Sequence, residues 1–139
     1  MANVAIVGGT EDIRLLLRGL ARLHHHQVVA EGAVPETLDA LARLPAASVV
    51  LLEADLDEAA TSQRVAEILR LRPDLRTVLI TARWSPRVEE LAHRLGIPTV
   101  LRRPFAVHQL VEVLAPVGDG GEGAAEGRAA GGGAPSAKA

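Results

Sequence analysis

The sequence predicts an α/β protein in three layers, a parallel five-stranded sheet in the order 2-1-3-4-5 with helices on both faces. Three observations carry this. Five short runs rich in Val, Ile and Leu recur along the chain. Segments with the 3.6-residue apolar spacing of helices follow each of them. The runs are also nearly continuous in apolar residues, where a strand with one wet face would alternate, so both faces of the sheet must be covered. Right-handed crossovers between parallel strands leave few topologies, and a chain of 139 residues fits a single domain.

The first strand spans Asn3 to Val7 and leads through Gly8-Gly9 to Thr10, whose hydroxyl can cap a helix carrying Ile13, Leu16, Leu17, Leu20 and Leu23. Gln27 to Glu31 is the second strand. Pro35 suits the first turn of a second helix, marked by Leu38 and Leu41. Ser48 to Leu52 is the third strand, and Val65, Ile68 and Leu69 give the third helix its apolar face. Arg76 to Thr81 is the fourth strand. Ser85-Pro86 reads as a cap followed by proline at the first helical position, opening a helix through Val88, Leu91 and Leu95 that Gly96 can end. Thr99 to Leu101 is the fifth strand, and Val107, Leu110, Val111 and Leu114 mark the last helix. Five alternations of strand and helix give a flavodoxin-like arrangement. In such sheets the ligand or reaction site lies beyond the carboxyl ends of the strands, at the switch point between strands 1 and 3. The residues to question are therefore Gly8, Gly9 and Thr10; Glu53 to Asp57; Thr81 to Trp84; and Arg102 to Phe105.

Acids number 17 and bases 15, so a net charge of −2 gives no electrostatic reason to expect direct nucleic-acid binding. Trp84 and Phe105 are the only aromatic residues, which argues against a base-stacking platform. Without cysteine there is no disulfide framework, thiolate zinc site or cysteine nucleophile. No apolar run approaches the roughly 20 residues that span a bilayer, and no basic leader precedes the first strand, so a cytoplasmic protein without membrane contact is the expectation. Composition changes at Pro116. Residues 116–139 hold eight of the 13 glycines, with Val117 as the only large apolar side chain. Such a stretch cannot offset its ordering entropy, so the expected organisation is a folded unit over 1–115 and a flexible Gly/Ala-rich tail over 116–139. The folded unit carries 13 arginines and no lysine.

Three stretches follow one another at fixed spacing: Val49-Val50-Leu51-Leu52-Glu53-Ala54-Asp55-Leu56, Ile80-Thr81-Ala82, and Gly96 to Phe105 with the sequence Gly-Ile-Pro-Thr-Val-Leu-Arg-Arg-Pro-Phe. Together they make residues 3–115 resemble the receiver domain of two-component response regulators. The resemblance implies that Glu53 stands in the place of the phosphoacceptor aspartate, that Thr81 is the hydroxyl ending strand 4, and that Arg103-Pro104 replaces a Lys-Pro pair. It implies a protein partner, a histidine kinase or another signalling protein. It also implies a partner or homodimer surface on the fourth helix, fifth strand and fifth helix. Here that face would offer Arg87, Arg94, Arg102, His108 and Glu112, with Val100 in place of the family's switch aromatic.

The departures bear most on function. In the family, strand 1 ends in an acidic pair that holds Mg²⁺, three residues before an apolar-Arg doublet resembling Ile13-Arg14. Counting back puts Gly8 and Gly9 at the acidic pair. Mg²⁺ requires near-octahedral oxygen ligation, so the metal site is expected to be lost and no cofactor is expected. Glu53 is one methylene longer than aspartate, which moves its oxygen by roughly 1 Å, a misplacement that can cost about 10²-fold in rate. Arg103 has two readings. It follows from a lysine-free composition, or its planar guanidinium pairs in bidentate fashion with Glu53. In the second reading Glu53, Arg103 and Thr81 imitate the contacts of a phosphoryl group and hold one conformational state.

Asp55 and Asp57 are alternative phosphoacceptors, although a solvated acidic lead-in to a helix start is the favoured reading of both. Gly8-Gly9-Thr10 at a helix start, with Thr81, Arg102 and Arg103, suggests a small-anion or nucleotide site, but the spacing of a P-loop or dinucleotide fingerprint is missing. His24-His25-His26 cannot face one metal from a helix and reads as a solvated helix end. His93 and His108 read as surface residues. Trp84 either packs on the fourth helix or anchors a partner. No Ser-His-Asp order emerges, so no enzyme activity is indicated. The functional expectation is an atypical single-domain receiver, a pseudo-receiver acting through protein contact, with any transcriptional output passing through another protein.

Overall fold

The computed structural model describes residues 2–34 and 36–115. Strand β1 (Asn3–Gly8) is followed by helix α1 (Glu11–Leu23), β2 (Gln27–Gly32), a 3-10 segment (Leu38–Arg43), β3 (Val49–Glu53), α2 (Ala59–Leu71), β4 (Arg76–Thr81), α3 (Pro86–Arg94), β5 (Thr99–Arg102) and α4 (Val107–Leu114). All neighbouring strands are parallel, in the order β2-β1-β3-β4-β5, as the sequence predicts.

Side-chain alternation along the strands divides the core into two layers. Ala5, Val7, Val50, Leu52 and Leu79 point to one face, where they meet Leu38 and Leu41, Val65 and Ile68 of α2, and Ala92 of α3. Val4, Ile6, Val49, Leu51, Val78 and Ile80 point to the other, against Leu17 and Ala21 of α1 and Leu110 and Leu114 of α4. Strands with two dry faces explain why the sequence shows runs and not alternation.

Local chemistry sets the element ends. The Thr10 hydroxyl accepts the Ile13 N–H at 3.2 Å and the Ser85 hydroxyl accepts that of Val88 at 3.1 Å, so both expected caps form. Gly96, at φ +91°, follows α3 and lets the Ile97 N–H reach the Ala92 carbonyl at 2.8 Å, a left-handed closure that glycine adopts without steric cost. At the far end of the sheet the Arg76 guanidinium donates to the Val113 and Ala115 carbonyls at 2.8 and 2.9 Å. These are carbonyls the end of α4 leaves without intrahelical partners, and burial lowers the pKa of that arginine from its ordinary value.

Three expectations change. The second helix is a 3-10 segment, because Leu38 and Leu41 are three apart and eclipse on a three-residue turn, with both side chains buried. Leu16 and Leu23 do not join the α1 core but lie 52% and 69% exposed, and Val107 is likewise outside at 52%. The core of α1 is instead Leu17 and Ala21, with Ile13 and Leu20 half-buried beside them. The histidine run is only partly a solvated end: His24 and His25 are exposed, whereas His26 is half-buried and its Nδ1 accepts the Ala2 N–H at 3.0 Å. Pro35 and the segment 116–139 lie outside the described residues. Among those described, no helix is long and apolar enough to cross a membrane.

Burial, then the positive amino terminus and the neighbouring histidines, lower the His26 pKa. The folded state therefore favours the neutral ring, and as pH falls below the ordinary value of 6.5 the unfolded chain takes up a proton first. Stability should drop between about pH 7 and pH 5. Thermal melts across that range should show a shallower drop for His26→Gln than for the wild type, and parallel curves would refute the assignment.

Candidate functional site

Register brings the strand ends together. Gly8 of β1 lies beside Glu53 of β3, and Thr81 of β4 beside Arg102 of β5. The next residue, Arg103, donates its backbone N–H to the Thr81 carbonyl at 2.8 Å, which fixes the start of its side chain over the end of the sheet. From there its Nη2 donates to Glu53 Oε2 at 2.5 Å. The two side chains keep 33% and 21% of their exposure, so water screens the pair only in part. Exposed Pro104 follows through a cis peptide bond.

The pair differs from the expected geometry in two ways. It is single-pointed and not a bidentate fork, since Glu53 Oε1 and Arg103 Nε are buried without hydrogen-bond partners. The Thr81 hydroxyl makes no hydrogen bond to Glu53 and instead accepts the Arg83 N–H at 2.9 Å. What remains of the expected trio is a link between β3 and the chain leaving β5.

The glycines at the end of β1 are structurally demanded. Gly8 and Gly9 have φ of +89° and +76°, a left-handed region that costs side-chain-bearing residues energy. A Cβ on Gly8 would stand 1.9 Å from the Glu53 carbonyl oxygen, and one on Gly9 2.8 Å from Glu53 Oε1 and 2.6 Å from the Ile13 side chain. The longer glutamate thus fills the space a side chain at position 9 would enter. Arg14 reaches back and donates to the Gly9 carbonyl at 2.6 Å, adding a cation at this end of the sheet.

This donor set does not fit Mg²⁺. The ion needs several oxygen ligands in near-octahedral array, whereas Glu53 is committed to Arg103 and the glycines contribute no side chain. Among the described residues no group of three or more His, Asp or Glu side chains is placed to hold a metal ion. An open cleft of about 520 Å³ lies beside the pair, lined by Gly8, Gly9, Val34, Leu38, Glu53 and Asp55 among others. Asp55 is exposed, and its Oδ1 accepts the Asp57 N–H at 3.0 Å. Asp57 pairs with Arg87 at 3.0 Å across an exposed surface.

Trp84 lies between the readings the sequence left open. Its ring is half-buried, its Nε1 donates to Glu89 Oε1 of α3 at 2.7 Å, and the Arg102 guanidinium stacks 4.6 Å from the ring centroid. Trp84 thereby ties α3 to β5 through a cation–π contact. Arg94 pairs with Glu90 within α3 at 2.9 Å, Val100 is half-buried, and His108 and Glu112 are exposed on α4. Glu89 escaped the sequence reading, and Arg14 entered it only as part of the Ile13-Arg14 doublet. Glu89 lies five residues past the tryptophan on the first turn of a capped helix, a spacing that could have signalled it.

No protein-family model matches the chain, and no curated protein does. Solved structures do. A receiver domain of a response regulator from Methanospirillum hungatei is similar at 15% identity, with 81% of this chain and 89% of that one covered and a TM-score of 0.70. The chemotaxis protein CheY4 of Vibrio cholerae is similar at 17% identity over 82% and 96% of the two chains, with a TM-score of 0.69. A Burkholderia pseudomallei response regulator, solved with a phosphorylated aspartic acid, a calcium ion and citrate, is similar at 21% identity over 83% of this chain and 67% of that one, with a TM-score of 0.67. At these identities the likeness is one of fold.

A double-mutant cycle measures the pair. Glu53→Gln and Arg103→Gln should each cost about 1–2 kcal/mol in denaturant unfolding, since each leaves a half-buried charge without its partner. The double substitution should cost about 0.5–1 kcal/mol less than their sum. Strict additivity would show that the contact contributes nothing to the fold.

Proposed function

We propose that the protein is an atypical receiver that signals through contact with another protein, without Mg²⁺-dependent aspartyl phosphorylation. One observation carries the proposal: the carboxylate at the end of β3 is held by Arg103, while the end of β1 offers two left-handed glycines and no acid. Phosphoryl transfer to a carboxylate needs an in-line oxygen and cations to neutralise developing charge. Here one carboxylate oxygen is held by Arg103 and the other is buried, and where the family's acidic pair stands there are two glycines at which a Cβ would clash. The same pair supplies a substitute for switching, because it bridges β3 to the β5 exit much as a ligand lodged between them would. The chain then rests in one state and presents one surface.

The surface best suited to a partner is the face of α3, β5 and α4. Trp84 and Arg102 sit there as a preassembled pair, and α3 and α4 carry exposed Arg94, His108 and Glu112. Aromatic and arginine side chains already fixed in place bind with little further loss of entropy. A histidine kinase or another signalling protein would meet this face. An anion or nucleotide at Gly8, Gly9, Thr10, Thr81 and Arg103 is disfavoured, because the Glu53 carboxylate lies among them.

The test is incubation with a small-molecule phosphodonor and Mg²⁺, followed by intact mass measurement. The mass should stay unchanged. A species about 80 Da heavier, mapped to Asp55 or Asp57, would replace the proposal with a phospho-accepting receiver. In parallel, millimolar phosphate and nucleotides should leave the melting temperature unmoved, and stabilisation by any of them would favour the anion site.

A further inference from the structure

Helix α1 is apolar on two sides. Its inner side buries Leu17 and Ala21. Nearly opposite, Leu15, Leu16 and Leu23 are 54%, 52% and 69% exposed, and Gly19 falls between them on the same arc at roughly 100° per residue. Three leucines in water on one helix face form a contiguous patch and not a scatter of single residues. Gly19 is as unusual: a Cβ there would meet nothing within 4 Å, so nothing in the described chain requires glycine, although it weakens a helix by roughly 1 kcal/mol relative to alanine. Residues 116–139 carry Val117 as their only large apolar side chain.

We infer that this face pairs α1 with α1 of a second copy in antiparallel, two-fold fashion, centred on Gly19. Two-fold pairing matches residues whose numbers sum to twice that of the central residue, so Leu15 of each copy meets Leu23 of the other and the two glycines face each other. The missing side chains then let the helix backbones approach closely. Charge agrees with this direction. Glu11 and Asp12 open the helix and Arg22 lies in its last turn, so antiparallel pairing sets each acidic end toward a basic one. Parallel pairing would set like beside like. The other arginines of the helix are occupied within the chain, Arg18 by Glu31 at 3.0 Å and Arg14 by the Gly9 carbonyl at 2.6 Å. Glu11, Asp12 and Arg22 have no ion-pair partner among the described residues.

A 13-residue helix is about 20 Å long, so the contact falls below the roughly 1,200 Å² of a standard interface. The dimer should be weak, with a dissociation constant of tens to hundreds of micromolar. Sedimentation equilibrium of the full chain from about 10 μM to 1 mM should show reversible dimerisation in this range. Leu15→Asp and Leu23→Asp should each weaken it at least about tenfold while circular dichroism shows the fold retained. Asp12→Arg should weaken it, because the substitution adds a cation beside the basic end of the partner helix. Trp84→Ala should leave it unchanged. A monomer throughout the range overturns the inference. So does a dimer that survives Leu15→Asp but is lost with Trp84→Ala, which would place self-association on the α3–β5–α4 face.

Discussion

The backbone at the end of β1 turns through two consecutive left-handed glycines, and the arrangement of the site depends on that turn. It brings Gly8 so close to the Glu53 carbonyl that no side chain fits between them. It leaves a space at position 9 that the Glu53 carboxylate fills, and it directs the Gly9 carbonyl toward Arg14. Glycine, glutamate and the two arginines are thus one interdependent solution. Restoring acids to β1 would require rebuilding the turn, and shortening Glu53 would leave Arg103 without its acceptor.

The ion pair and the tryptophan stack both engage the end of β5. Glu53–Arg103 ties β3 to the chain just beyond β5, while Trp84 ties α3 to β5 through Arg102. Arg102 and Arg103 are adjacent, so one two-residue segment answers both to the pocket and to the outer face. One ion pair and one peptide bond separate Glu53 from the surface proposed for partners. In this geometry Val100, half-buried on β5, need not carry an aromatic for the pocket to be connected to that surface.

Strand positions and two of the helix caps were legible because they rest on local chemistry: β-branched runs, a hydroxyl three residues before a backbone N–H, proline at a first turn; sheet order was legible because right-handed crossovers leave few topologies. The pairing of Glu53 with Arg103 was legible too, since topology alone puts the ends of strands 3 and 5 at one pole. Its single-pointed form was not, because it depends on where Arg103 leaves the strand. Thr81 was misjudged for a related reason, as a hydroxyl at a strand end can satisfy a neighbouring backbone N–H more cheaply than a side chain farther off. The α1 leucines misled because five apolar residues spread over more of a helix than one sheet can cover, and periodicity alone cannot say which of them face inward. Leu38 and Leu41 fit a three-residue turn as well as the longer helical one, so spacing could not separate the two.

The clamp of Arg76 on the last carbonyls of α4 has a geometric consequence for anything attached beyond it. Arg76 opens β4 and Thr81 closes it, so Ala115 is anchored at the pole from which the strands depart, and the cleft lies at the pole where they arrive. The six residues of β4 separate the two poles by roughly 20 Å. A fluorophore, affinity handle or neighbouring polypeptide joined after Ala115 would begin its path on the underside of the molecule, leaving the glycine turn and its carboxylate unobstructed.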